Sequence, residues 1–182
     1  MSPARRMRER AAPPPESALT HMDPRGRVRM VDVGAKPPTR RIALARAAVR
    51  MEPETLSAIL GGSLKKGEAL AAARIAGVMA AKRTSELIPL CHQIPLDVVE
   101  IDFQPDPEHS RLEIQARAVT QARTGVEMEA LVAASVAALV IYDMAKAIDR
   151  AMVVEQVRLV GKEGGRSGKF RRPGERSWPV TL

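Results

Sequence analysis

One cysteine, one tyrosine, one tryptophan and two phenylalanines are all that this 182-residue chain holds of those types. A single cysteine excludes an internal disulfide, and any cysteine-based zinc or iron–sulfur site within one chain, which suits a reducing compartment. With 2% aromatics the core has to be built from Ala, Val, Ile, Leu and Met. The aromatic platforms on which single-strand binders stack bases are missing too. No N-terminal stretch resembles a signal peptide, and no run reaches the roughly 18 apolar residues of a membrane span. The expectation is a cytoplasmic protein with no membrane partner.

Charge is plentiful, with a formal net of +8, but its location matters more than its size. Residues 1–17 carry four arginines against two glutamates, and residues 161–176 carry six Lys and Arg against two glutamates. The two ends hold net +2 and +4, which leaves about +2 for the body. A basic groove across the fold is not indicated, and no nucleic-acid partner is expected.

"MSPARRMRERAAPPPES" has no apolar period and reads as a disordered basic, Pro-rich arm over residues 1–18. A single domain follows over 19–170, and 171–182 reads as a flexible tail. "MEPETLSAILGG" predicts a short helix with Pro53 in its first turn and Gly61 past its end. A longer helix is predicted over 67–88, ended by Pro89. Val99, Ile101 and Phe103 alternate in "DVVEIDFQ", as do Leu112, Ile114, Ala116 and Ala118 in "SRLEIQARAV". The "PDPEHS" turn between them makes a hairpin. A long helix fits "GVEMEALVAASVAALVIYDMAKAID" and a last strand "VVEQVRLV".

"TRRIALARAAVRM" is ambiguous: its alanines favour helix, while Arg40, Arg46 and Arg50 recur at even spacing as a strand requires. Taken as a strand, it completes the order strand, helices, two strands, helix, strand. That is the α+β, ferredoxin-like antiparallel sheet with helices packed on one face. Residues 131–141 are apolar or small on every side, so the helix there is expected to be buried all round, with another subunit covering its far side.

The chemistry-bearing residues are few. Cys91 and His92 are adjacent in "SELIPLCHQIPLD", so on an extended chain they point apart and His92 cannot activate the thiol. Isolated carboxylates near His92 make a weak metal set. What remains is a proline-held turn that presents His92 as a proton donor or phosphate contact. Lys65 and Lys66 stand at the mouth of a predicted helix, where anions are favoured. Asp143 and Lys146 lie three apart, on one side of a helix. Ending an apolar helix, that pair is expected to be buried and its pKa tuned. Glu127 and Glu129 are about 200° apart around a helix and cannot form a carboxylate dyad. Glu129 and Asp143 would be about 21 Å apart along it, so if both act they serve opposite ends of a long ligand or different subunits. "GKEGGRSGKF" is Gly-rich and basic but lacks the fixed spacing of a P-loop.

Together "LTHMD", "MVDVGAK", "KKGEALAAARIAGVMAAKRTSELIPLCH", "TGVEMEAL", "AASVAALVIYDMAKA" and "VRLVGKEGGRSG" closely resemble the cyclic pyranopterin monophosphate synthase family, protein C of molybdenum cofactor biosynthesis. They run in family order from Leu19 to Gly168. The resemblance implies a lyase that converts (8S)-3′,8-cyclo-7,8-dihydroguanosine 5′-triphosphate to the cyclic pterin monophosphate and pyrophosphate. It implies a homohexamer, a trimer of dimers with sites at the dimer interface. No resident cofactor and no metal site are implied; magnesium would enter, if at all, with the triphosphate. By family position Asp143 is the catalytic acid/base, with Lys146 beside it and Lys66 as a second proton-handling or charge-stabilising lysine. Leu90, Cys91 and His92, with Glu127, Met128 and Glu129, are the substrate-binding set, and Arg41 and Lys162 the phosphate contacts. Three positions depart from the family's pattern: Gln93 where proline is usual, Ala145 where cysteine is common, and Arg166 for lysine. The alternative class is a non-catalytic ferredoxin-like nucleotide- or RNA-binding module, whose affinity would fall steeply with salt.

Overall fold

The computed structural model describes residues 25–178. The main compact unit is Asp32–Leu182, and Arg25–Val31, which holds no helix, is the described end of a separate unit, Met1–Val31. The arm expected over 1–18, and His21, lie outside the described residues.

The ambiguous Ala- and Arg-rich segment is a strand, β1 (Thr39–Arg50). Its two-residue period decides the matter. Ala43, Ala45, Ala47 and Val49 enter the core beneath the helices, while Leu44, Arg46 and Ala48 face the other side of the sheet. Helix α1 (Pro53–Leu60) follows, with proline at its first position and Gly61 closing it. The long helix expected over 67–88 is instead α2 (Ala69–Lys82) and a single turn, α3 (Thr84–Leu87). Arg83 leaves helical geometry, and the buried Thr84 hydroxyl donates back to the carbonyls of Ala81 and Ala80. That local bond offers the backbone an alternative to continuing the helix.

β2 (Val98–Asp106) and β3 (Arg111–Ala122) form the expected hairpin. Helix α4 (Glu127–Ala145) and β4 (Val153–Glu163) complete the pattern, and a two-residue β5 (Phe170–Arg171) is added at the edge. The sheet order is β2-β3-β1-β4-β5, antiparallel at every pairing, with β1 central. This is the α+β ferredoxin-like arrangement.

Scarcity of aromatics shapes the packing. Ala130, Ala133, Ala134, Ala137, Ala138 and Ile141 of α4 are fully buried against the small residues of β1 and β3. Small side chains on both surfaces let the helix sit close to the sheet. α2 approaches α4 equally closely at Gly77, where an added Cβ would lie 2.9 Å from the Ala133 carbonyl oxygen. α4 is long and apolar enough to cross a membrane by length and composition alone, but half of that stretch is buried within the chain, where it is the central helix of the core. Within one chain it is not buried all round. Leu139 is 57% exposed, as are Ile75 and Met79 of α2 in large part.

Residues 171–182 were expected to form a flexible tail. Arg171 lies in β5, and Glu175, Arg176 and Trp178 all have partners on the face of the sheet opposite the helices, while 179–182 lie outside the described residues.

Candidate active site

Asp143 lies at the C-terminal end of α4, where helix carbonyls attract cations. Two lysines answer it. Lys146 Nζ is 2.7 Å from Oδ1, and Lys66 Nζ is 2.8 Å from Oδ2 and also donates to the Asp143 carbonyl at 2.8 Å. Lys66 arrives on the turn before α2, which Gly67 makes possible with a φ of 92°. The sequence placed Asp143 and Lys146 side by side, and the structure brings Lys66 to the same carboxylate across 77 residues.

The expected burial of this pair is corrected. Asp143 is 54% exposed, and the cations that lower its pKa outweigh the opposing desolvation. Hydrogen bonds from Lys146 and then Lys66 hold the carboxyl down at about 2. The same partnership raises Lys146. Asp143 is therefore a carboxylate at neutral pH.

A second group gathers at the other end of α4. Glu129 is 4% exposed, and burial pushes its carboxyl up to about 7, with the charge of Glu127 adding to the shift. Cys91 lies near enough to feel Glu129: burial and then that charge raise its thiol, the opposite of an activated nucleophile. Leu90 and His92 flank it, half-buried, on the chain between α3 and β2. Met128 is half-buried in the first turn of α4. Glu127 faces away from Glu129 and pairs with Lys162 at 3.6 Å, so the two carboxylates do diverge.

Lys162 also donates to Ser167 Oγ. Arg41 is pinned by its Nε to the Ala122 carbonyl at 3.0 Å and by Nη2 to that of Arg123 at 3.2 Å. The loop after β4 closes over it through Gly164 and Gly165, both with positive φ. A Cβ at Gly164 would strike the Arg40 carbonyl, and one at Gly165 the Arg41 guanidinium. Backbone, Lys162 and Arg41 thus converge in a small-residue loop suited to anions. The sequence singles out this Gly-rich basic stretch but assigns no role to Ser167 or to the Gly164–Gly165 approach. "GGRSG" was the available signal.

Two half-sites result, one at each end of a helix whose rise separates Glu129 from Asp143 by about 21 Å. Among the described residues no three His, Cys, Asp or Glu side chains converge as a metal site. Two of the aromatics are engaged with arginines: Trp178 stacks on Arg46 at 5.1 Å and Phe103 on Arg74 at 5.4 Å.

This combination has relatives. The MoaC family pattern matches residues 30–165, about three-quarters of the sequence. The chain belongs to the MoaC family. A cyclic pyranopterin monophosphate synthase from Pelotomaculum thermopropionicum is 60% identical over 162 residues, 89% of this chain and 95% of the relative. One from Chloroflexus aurantiacus is 57% identical over 155 residues, 85% and 95% of the two chains. One from Dinoroseobacter shibae is 54% identical over 154 residues, 85% and 98%. Both half-sites of this MoaC-family chain fall inside the matched region, apart from Ser167.

Proposed function

We propose that the chain is a cyclic pyranopterin monophosphate synthase, a cytoplasmic lyase of molybdenum cofactor biosynthesis. It converts (8S)-3′,8-cyclo-7,8-dihydroguanosine 5′-triphosphate to cyclic pyranopterin monophosphate and pyrophosphate. One observation carries the reading: a carboxylate held between Lys146 and Lys66 at the end of the central helix, in a chain whose relatives bear that name.

The chemistry asks for two things that the side chains supply. A ring must open and reclose, which needs a group that accepts and returns protons. A triphosphate must be held while one phosphate closes on itself: a substrate hydroxyl oxygen bonds to the α-phosphorus, its proton goes to a base, and pyrophosphate leaves. Asp143 is the proton-exchanging carboxylate, with Lys146 and Lys66 as its cationic partners. An entering triphosphate competes for those lysines. A carboxylate relieved of one cation moves up from about 2 toward the range where it exchanges protons readily.

Arg41 and Lys162 take phosphate oxygens, and Glu127 is the anion that the substrate displaces from Lys162. Leu90, Cys91, His92, Met128 and Glu129 line the pterin end. A protonated Glu129 is a hydrogen-bond donor there. No resident cofactor is assigned, and any magnesium enters with the triphosphate as part of the substrate.

A single chain does not bring the two ends of α4 together, so the working site is assigned to the interface between two chains of a homohexamer, a trimer of dimers. Exposed Ile75, Met79 and Leu139 supply apolar surface for that association. The purified protein, given the cyclic dihydro-nucleotide triphosphate, should release one pyrophosphate per cyclic phosphate product. Absence of release under conditions where a relative turns over would reject the assignment.

A further inference from the structure

Residues 172–178 lie beyond the stretch that the family pattern matches, which ends at residue 165. They cross the face of the sheet that carries no helices. Arg46 of β1 is directly opposite Arg158 of β4 in register, so both guanidinium groups rise from the same face. A bulge at Gln156, whose φ is 57°, produces that alignment. Two cations in that position repel, and Arg46 is only 3% exposed. Burial and the neighbouring Arg158 both depress Arg46, and Glu175 opposes them.

Glu175 is placed between the pair. Its Oε1 accepts from Arg158 Nε at 2.5 Å, and its Oε2 from Arg158 Nη2 at 2.9 Å and Arg46 Nη1 at 3.0 Å. Arg46 also donates to Gln115 at 2.9 Å and to the Arg176 carbonyl at 2.8 Å, and Trp178 covers its planar face. Arg176 continues the crossing to Glu113 and Asp106.

What this crossing holds is the loop of the second half-site. β5 is two residues long and pairs with Gly161 and Lys162, too short a strand to persist by itself. The Arg172 amide donates to the Val160 carbonyl at 2.8 Å, and Glu175 is anchored four residues beyond β5. Between Lys162 and β5 lie Gly164, Gly165 and Gly168, all in left-handed backbone that favours no single conformation unless its ends are fixed.

We propose that the C-terminal segment is a strap, and that Glu175 is a positioning residue which fixes Lys162 and the 163–169 loop for the substrate's phosphates. The phosphate role of that loop rests on the function proposed above. The strap itself is read from geometry alone.

The test uses full-length protein with Glu175→Ala, and Glu175→Gln as the conservative variant. KM for the cyclic dihydro-nucleotide triphosphate should rise about tenfold in Glu175→Ala with kcat within about twofold, and Glu175→Gln should fall between it and wild type. Amide exchange should speed up over 162–172 while α2 and α4 stay protected. Leu56→Ala, a core change in α1, should lower stability without moving KM or loop exchange. Unchanged loop exchange in folded Glu175→Ala overturns the strap, as does an equal KM rise in Leu56→Ala. If Glu175→Ala does not fold, Trp178→Leu replaces it, with a smaller rise of about threefold expected and none contradicting. If wild type shows no turnover at all, the proposed function fails, and exchange over 162–172 still decides the strap.

Discussion

Asp143 illustrates how a surface carboxylate can be tuned without burial. Its two lysines come from different places in the sequence, and each takes one oxygen. Asp143→Asn keeps the shape and one acceptor but removes proton exchange. It should lower kcat by a factor on the order of 10²–10⁴ while leaving assembly intact, as steady-state pyrophosphate release and sedimentation will show. Near-normal turnover would make Asp143 a helix-end cap only.

Glu129 makes the opposite case, a carboxyl raised to about 7 mainly by burial. Below its ordinary value of 4.5 both the folded and unfolded chains hold the proton, and nothing is lost. From 4.5 to about 7 only the folded chain holds it, so stability falls as pH rises, and above that range the penalty is complete. Glu129→Gln should match wild type near pH 4.5 and exceed it at pH 8 by on the order of 1–3 kcal/mol. Denaturant melts at the two pH values decide this, and a difference independent of pH contradicts it. Spacing made the divergence of Glu127 and Glu129 legible in advance. It could not tell that one would be buried and the other paired with Lys162, because that depends on strands far away in sequence.

At the scale of elements, small residues set the distances. Gly77 is a mid-helix glycine, and replacing it by alanine would ordinarily stabilise α2 by about 1 kcal/mol. Here the added methyl meets the Ala133 carbonyl and the end of the Ile101 side chain. Gly77→Ala should therefore destabilise by about 1–3 kcal/mol, read from thermal or urea unfolding, because overpacking outweighs propensity. A gain in stability would show that α2 and α4 separate freely.

The elements were largely legible because each follows its own period. β1 reads as a strand in spite of its alanines, since Arg40, Arg46 and Arg50 keep the even positions. The hairpin turn and the α1 boundaries followed from proline and glycine. The break at Arg83 was not legible: it turns on a threonine hydroxyl that bonds backward once packed. Nor was the docking of the tail, since Arg46, Arg158 and Glu175 meet only after β1 and β4 pair with a bulge between them.

For the whole molecule the governing fact is the length of α4. It carries Glu129 at its first turn and Asp143 near its last, and a rigid helix does not bring its ends together. Family resemblance assigned both to one site, and a separation of about 21 Å by helix rise is the reason for the proposal that two chains share it. The apolar residues left exposed on α2 and α4 lie on the helical layer, where a second subunit can cover them. Mixing two inactive proteins tests this claim most directly: Asp143→Asn, which spoils one end, and His92→Ala, which spoils the other. After confirmed subunit exchange, a fraction of interfaces carries one site with Asp143 from one chain and His92 from its neighbour, both intact. The account predicts that pyrophosphate release returns to about a quarter of wild type in an equal mixture, as random pairing of chains requires. Complete exchange with no recovered activity would mean that both residues act from the same chain, and the shared site would be wrong.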